Sequence, residues 1–121
     1  MTEKEIAIAF LQGAVLDGVK EIYEKYIADN FVHHNPYFKS DKASLLAGMV
    51  ENNRRYPNKQ LRIQKAIVGL PYVSVLSHVK VSEDLEMALS HLFRFEKGKV
   101  VELWDISQVI PKDMVNEYGM F

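Results

Sequence analysis

The sequence predicts an α+β domain, with three N-terminal helices packed over one curved antiparallel sheet. Apolar residues recur at helical spacing as far as Asn53 and at alternating spacing after Asn58. The helical and strand segments are grouped rather than interleaved, which favours helices covering one face of a single sheet. With 121 residues the chain holds one domain, residues 1–121, and buries about two thirds of its unfolded surface on folding.

Thr2-Glu3-Lys4-Glu5 spells a capping box that opens the first helix. Ile6, Ala9, Phe10 and Gly13 share one face, Asp17-Gly18 breaks the run, and Val19, Ile22, Tyr23, Tyr26 and Ile27 form a second helix. Pro36 pushes the preceding residue towards extended geometry, so residues 31–36 read as a short strand or a buried loop. Ser40 or Asp41 caps a third helix whose stripe is Leu45, Leu46, Met49, Val50 and Asn53, ending before Pro57. Four strands then follow along 61–67, 72–81, 86–95 and 99–109. On the last, Val101, Leu103 and Val109 face one way and Trp104 and Ile106 the other. One small domain cannot cover two apolar sheet faces, which predicts a homodimer through the open sheet face.

Composition narrows the function classes. Fifteen basic residues (15 Lys+Arg) against 16 acidic give a net charge of −1, which disfavours nucleic acid and polybasic membrane binding. The absence of cysteine excludes disulfides, zinc-thiolate sites and thiol nucleophiles. Apolar runs are interrupted well before membrane length and the first residues are acidic, so a cytoplasmic protein is expected. The polar groups at 52–56 and 97–99 read as solvated helix and turn surface.

Polar residues on apolar strand faces carry the site. A three-residue hairpin loop, Glu96-Lys97-Gly98, pairs Phe95 with Lys99 and sets His91 opposite Leu103, diagonal to Asp105. A four-residue loop, Ser82 to Leu85, pairs Val81 with Glu86 and brings His78 opposite Leu89. His78, His91 and Asp105 then converge among Leu76, Met87, Leu89, Phe93, Val101 and Leu103, under the helices. A one-residue error in either loop flips a strand and removes its member from the set. Histidines on such faces are more often hydrogen-bonded core residues than catalysts. A carboxylate between Trp104 and Ile106 is harder to bury, and its pKa rises by desolvation where no cation is near. His33 and His34 alternate, so one faces inward, and His34 is expected there with Asn35 beside it. Tyr26 is a further lining residue.

The segments YIADNFVHHNP (26–36), LSHV (76–79) and FRFEKGKVVELWD (93–105), with the tail ending Gly119-Met120-Phe121, resemble the SnoaL-like polyketide cyclase group of the nuclear-transport-factor-2-like superfamily. The resemblance implies a conical barrel with a deep apolar cavity, commonly dimeric. It also implies an aspartate that acts as acid/base in intramolecular aldol closure, at Asp105, with a histidine at His91. Many relatives carry His-Trp-Asp where this chain has Leu103-Trp104-Asp105, and aspartate where it has His91.

The expected function is proton abstraction next to a carbonyl in a small, largely apolar substrate, of cyclase or isomerase type. Asp105 is the base, His91 orients it or protonates oxygen, and His78 and His34 hold the carbonyl or a water. Asn35, Tyr26, Leu103, Leu89 and Phe93 complete the substrate pocket. A non-catalytic module binding a small apolar ligand is the alternative reading. No cofactor is expected: two histidines and a carboxylate can form a metal triad, but their spacing matches no metal motif.

Overall fold

A computed structural model describes all residues, 1–121. Helix α1 (Glu3–Val15) opens with the capping box, both reciprocal bonds between Thr2 and Glu5 being present. Gly18, with φ 87°, turns the chain into α2 (Val19–Tyr26). Strand β1 (Ile27–His34) follows, so Ile27 begins the strand rather than ending the helix. Asp41 caps α3 (Lys42–Arg55) through the Ser44 amide; Leu45 of its stripe is buried and Val50 is exposed. Strands β2 (Gln60–Gly69), β3 (Tyr72–Ser82), β4 (Leu85–Glu96) and β5 (Lys99–Val109) complete the chain. No helix is long and apolar enough to cross a membrane.

The five strands form one sheet in the order β1-β5-β4-β3-β2. The last four make the expected antiparallel meander, whereas β1 lies parallel to β5, so the sheet is mixed. Strands β1 and β2 remain edges, so the barrel is not closed. Every ladder contains an irregularity, and such bulges bend and twist a sheet.

Two of these irregularities decide which side chains face the helices. The β4–β5 turn has two residues, Lys97 and Gly98, both with positive φ, and pairs Glu96 with Lys99. A bulge between Arg94 and Phe95 adds a second one-residue displacement in the same direction. The total of two keeps the side chains of β4 and of β5 from Glu102 onward on their expected faces, but moves Asp105 from diagonal to directly opposite His91; Val100, between the turn and the bulge, is displaced by one and turns into the core. At the β3–β4 end the expected register holds only for Ser82 with Leu85. A bulge at Val81 then moves Lys80 opposite Glu86, a one-residue change that inverts β3. Val73, Val75, Ser77 and Val79 therefore face inward, and Leu76 and His78 face outward.

The core is densely filled at one end of the sheet. Phe10 meets Phe93 edge-on at 5.5 Å and stacks near Tyr23 at 6.3 Å, over Val73, Val75 and Val100. Burial pushes the Tyr23 phenol up, and its hydroxyl donates to the Lys42 carbonyl. The α1–α2 corner is equally tight: a Cβ at Gly13 would lie 2.7 Å from Val19 Cα, a backbone atom that cannot move aside cheaply. Gly13→Ala is expected to lower stability by about 1–3 kcal/mol in urea unfolding; an unchanged midpoint would contradict this packing.

Candidate functional site

At the other end of the sheet the packing opens into a cavity of about 410 Å³. Helices α1 and α3 roof it through Phe10, Leu11, Leu45 and Met49, and Leu89 and Leu103 form its floor. Its size and largely apolar lining suit a small organic ligand. Asn35, His91 and Asp105 meet on one wall.

The Asp105 carboxylate is held on both oxygens. Asn35 Nδ2 donates to Oδ2 at 2.8 Å, and His91 Nε2 lies 3.2 Å from Oδ1. The Asn35 amide cannot turn freely, because its Oδ1 accepts the Tyr37 backbone N–H at 3.0 Å, and this directs Nδ2 to the carboxylate. The Asn-Pro pair thus acts locally: it ends β1, forms a side-chain turn and aims a donor across to β5. His91 is fixed by burial (5% exposed) and by stacking on Phe93 at 6.1 Å; its Nδ1 has no hydrogen-bond partner in the protein.

Burial is the largest influence on Asp105 and pushes its pKa up. The His91 contact, the Asn35 hydrogen bond and the nearby His33 ring together outweigh it, and the carboxyl lies below its ordinary value. The raised pKa is expected only where no cation is near; here the His91 and His33 rings act as neighbouring positive charge and the His91 and Asn35 hydrogen bonds add to it.

His33, not His34, turns inward. His33 is 4% exposed, with Nε2 on the Lys39 carbonyl and Nδ1 accepting the Asn35 N–H, so both ring nitrogens are engaged. His34 lies on the outer face, opposite Trp104, because the parallel ladder to β5 fixes the phase of β1. There it stacks on Trp104 at 5.1 Å and contacts Glu102 at 2.7 Å. The contacts from His34 and Arg94 hold Glu102 below the usual carboxylate range.

Three more expected lining residues lie elsewhere. His78 is on the outer face through the Val81 bulge, 2.7 Å from Glu86 and stacked on Phe121 at 5.1 Å. The C-terminal tail thus docks, at its last residue, on its own sheet. Tyr26 ends α2, which packs on α1, α3 and β1 and leaves its ring against the core under Lys25. Phe93 is fully buried beneath Phe10 and His91 and fills core rather than cavity. Asn35, Leu89 and Leu103 do line the cavity.

The sequence reading missed Tyr37, Phe38 and the group Asn52, Tyr56 and Lys59, all of which line the cavity. Two aromatic residues directly after Asn35-Pro36 were a legible signal of a wall. Lys59 gave none, since lysine is by default a surface residue. The sequence predicts solvated surface at 52–56, but Asn52 and Tyr56 also face the cavity.

No protein-family model and no curated protein sequence matches the chain. Solved structures do. IdmH, a candidate polyketide cyclase from Streptomyces antibioticus, superposes with a TM-score of 0.69 at 19% identity, over 88% of this chain and 93% of its own. A candidate SnoaL-like polyketide cyclase from Jannaschia sp. CCS1 gives 0.72 at 13% identity, over 86% and 83%. An uncharacterized cystatin-fold protein from Novosphingobium aromaticivorans gives 0.74 at 20% identity, over 88% and 98%. The chain therefore has the fold that these three structures share, one of them described as SnoaL-like, as the resemblance in its sequence implied.

The Asp105 carboxyl is expected to titrate below the ordinary aspartate value of about 3.9 in a carbon-13 NMR titration, and Asn35→Ala is expected to move it upward. A depressed folded pKa contributes stability that is present above the unfolded value and lost as pH falls through the folded one. A titration at or above 4 in the native protein would contradict the two-donor arrangement.

Proposed function

We propose that the chain is a small-molecule enzyme that removes a proton from a carbon next to a carbonyl in a largely apolar substrate, the step common to aldol cyclisation and enol isomerisation. One observation carries the reading: an ionised carboxylate stands on the wall of a mostly apolar cavity with both oxygens oriented by neighbours. Asp105 takes the proton. Its Oδ1, with the longer 3.2 Å contact, is the freer oxygen to receive it. A substrate that displaces water from the cavity strengthens the burial that already pushes the carboxyl up, and so raises its basicity on binding.

His91 and Asn35 position the carboxylate. One N–H of the Asn35 amide is spent on Asp105, and the other is free to stabilise the enolate oxygen as it develops. His78 and His34 take no part in this account, since neither lies in the cavity. Neighbours described as candidate polyketide cyclases support the chemistry in kind.

A second reading has its own observation. A carboxylate held below its ordinary pKa is a stable anion, which suits a ligand-binding module that only orients a polar group. We also propose a homodimer through the outer sheet face, where Ile106 and Ile67 are 66% and 63% exposed beside the Tyr72 and Trp104 rings.

Deuterium exchange at the α-carbons of 2-tetralone, followed by proton NMR, separates the two readings. The enzyme reading expects exchange above background that falls at least about a hundredfold in Asp105→Asn. Binding of 2-naphthol, a planar enolate mimic, without any catalysed exchange would leave the binding module.

A further inference from the structure

We infer that the cavity holds its ligand by two ends, and that Asn52, Tyr56 and Lys59 form a second subsite for an anionic oxygen, a carboxylate on an otherwise apolar ligand. The inference rests on the cavity being a ligand site and extends it to a substrate class.

Lys59 is the observation that requires explanation. It is the only lysine among the buried residues, 9% exposed, and it lines the cavity. Its ammonium makes three hydrogen bonds, to the Asn52 carbonyl at 3.3 Å, Asn52 Oδ1 at 3.0 Å and Asn53 Oδ1 at 2.9 Å. All three acceptors are neutral. Burial alone shifts its pKa, downward, with no carboxylate opposing it. A buried charge is ordinarily matched by an opposite one.

A structural role explains the hydrogen bonds but not the charge. Lys59 caps the C-terminal end of α3, where the helix dipole is negative, and Asn53 carries the link on to the Gly13 carbonyl at 3.1 Å. This clamp ties α3 to α1. Neutral acceptors leave the net positive charge in place, beside a cavity with few polar groups.

The same clamp creates the donors that an anion needs. Holding Asn52 Oδ1 on Lys59 turns the Asn52 amide N–H groups away from the ammonium and leaves them free. Tyr56, whose side chain carries a hydroxyl, also lines the cavity. Hydrogen bonds to a charged oxygen are about twice as strong as neutral ones.

The two polar ends have opposite charge and are well separated. Asp105 is on β5 and Lys59 immediately precedes β2, three strands away in the sheet, or about 14 Å at ~4.8 Å per strand. A ligand with a carboxylate at one end is repelled by Asp105 and attracted by Lys59, so it enters in one direction, with its apolar body and reactive carbon towards the base.

Decanoate and 1-decanol, compared by isothermal titration calorimetry, test this. The native protein is expected to bind decanoate at least about tenfold more tightly than decanol. Asn52→Asp places a carboxylate on Lys59 and keeps the clamp; it is expected to bring the decanoate-to-decanol affinity ratio to about one or below. Lys59→Met is expected to lower the same ratio. In Asp105→Asn the preference is expected to persist even where tetralone exchange is lost, which separates this subsite from the catalytic reading. Equal affinities in the native protein, or a preference that survives Asn52→Asp, would overturn the inference.

Discussion

The phase of β4 against its two neighbours is the constraint on which the site depends. A strand offers alternate side chains to opposite faces, so a single residue of displacement exchanges every inward group for an outward one. His91 meets Asp105 because a two-residue turn and a bulge at Arg94/Phe95 displace β5 by two residues in all. His78 is lost to the outer face because the Val81 bulge displaces β3 by one. The ladder that pairs β1 with β5 acts in the same way, directing His33 inward and His34 outward. Backbone hydrogen bonding thus selects which titratable groups share the cavity.

With that selection made, the electrostatics follow from donors within reach. Burial alone would favour a protonated Asp105, but Asn35 and His91 reverse the balance and leave an oriented anion. Asn35 can do this only because Tyr37 holds the other end of its amide. The cavity itself exists because large side chains are concentrated at one end of the sheet, where Phe10, Phe93 and Tyr23 fill the space under α1 and α2. Lys59 closes the far side with a charge of opposite sign, and the same residue fastens α3 to α1. Helix packing and the polarity of the cavity wall meet in that one side chain.

The elements were legible because their signals are local. The Thr2–Glu5 capping box, the Gly18 break, the Asp41 cap and the change of period after Asn58 each act over a few residues. Asp105 and His91 were legible as a pair because the two displacements between them add to an even number, so parity survived although the pairing was misjudged. His78, His34 and Tyr26 were not, since their facing depends on a bulge, on a non-local parallel ladder and on the packing of a short helix. Asn35 was assigned to the pocket, but its role in fixing the carboxylate needs the Tyr37 turn and the β1–β5 pairing together. Lys59 could not have been found from spacing, because its burial comes from the approach of α3 to the start of β2.

Cross-strand backbone proton contacts measured by NMR in the native protein test the register most directly. Contacts between His91 and Asp105, together with contacts between Val75 and His91, are the expected result. Contacts of His91 with Leu103 and with Leu76 instead would return His78 to the interior and take away the geometry on which Asp105 relies.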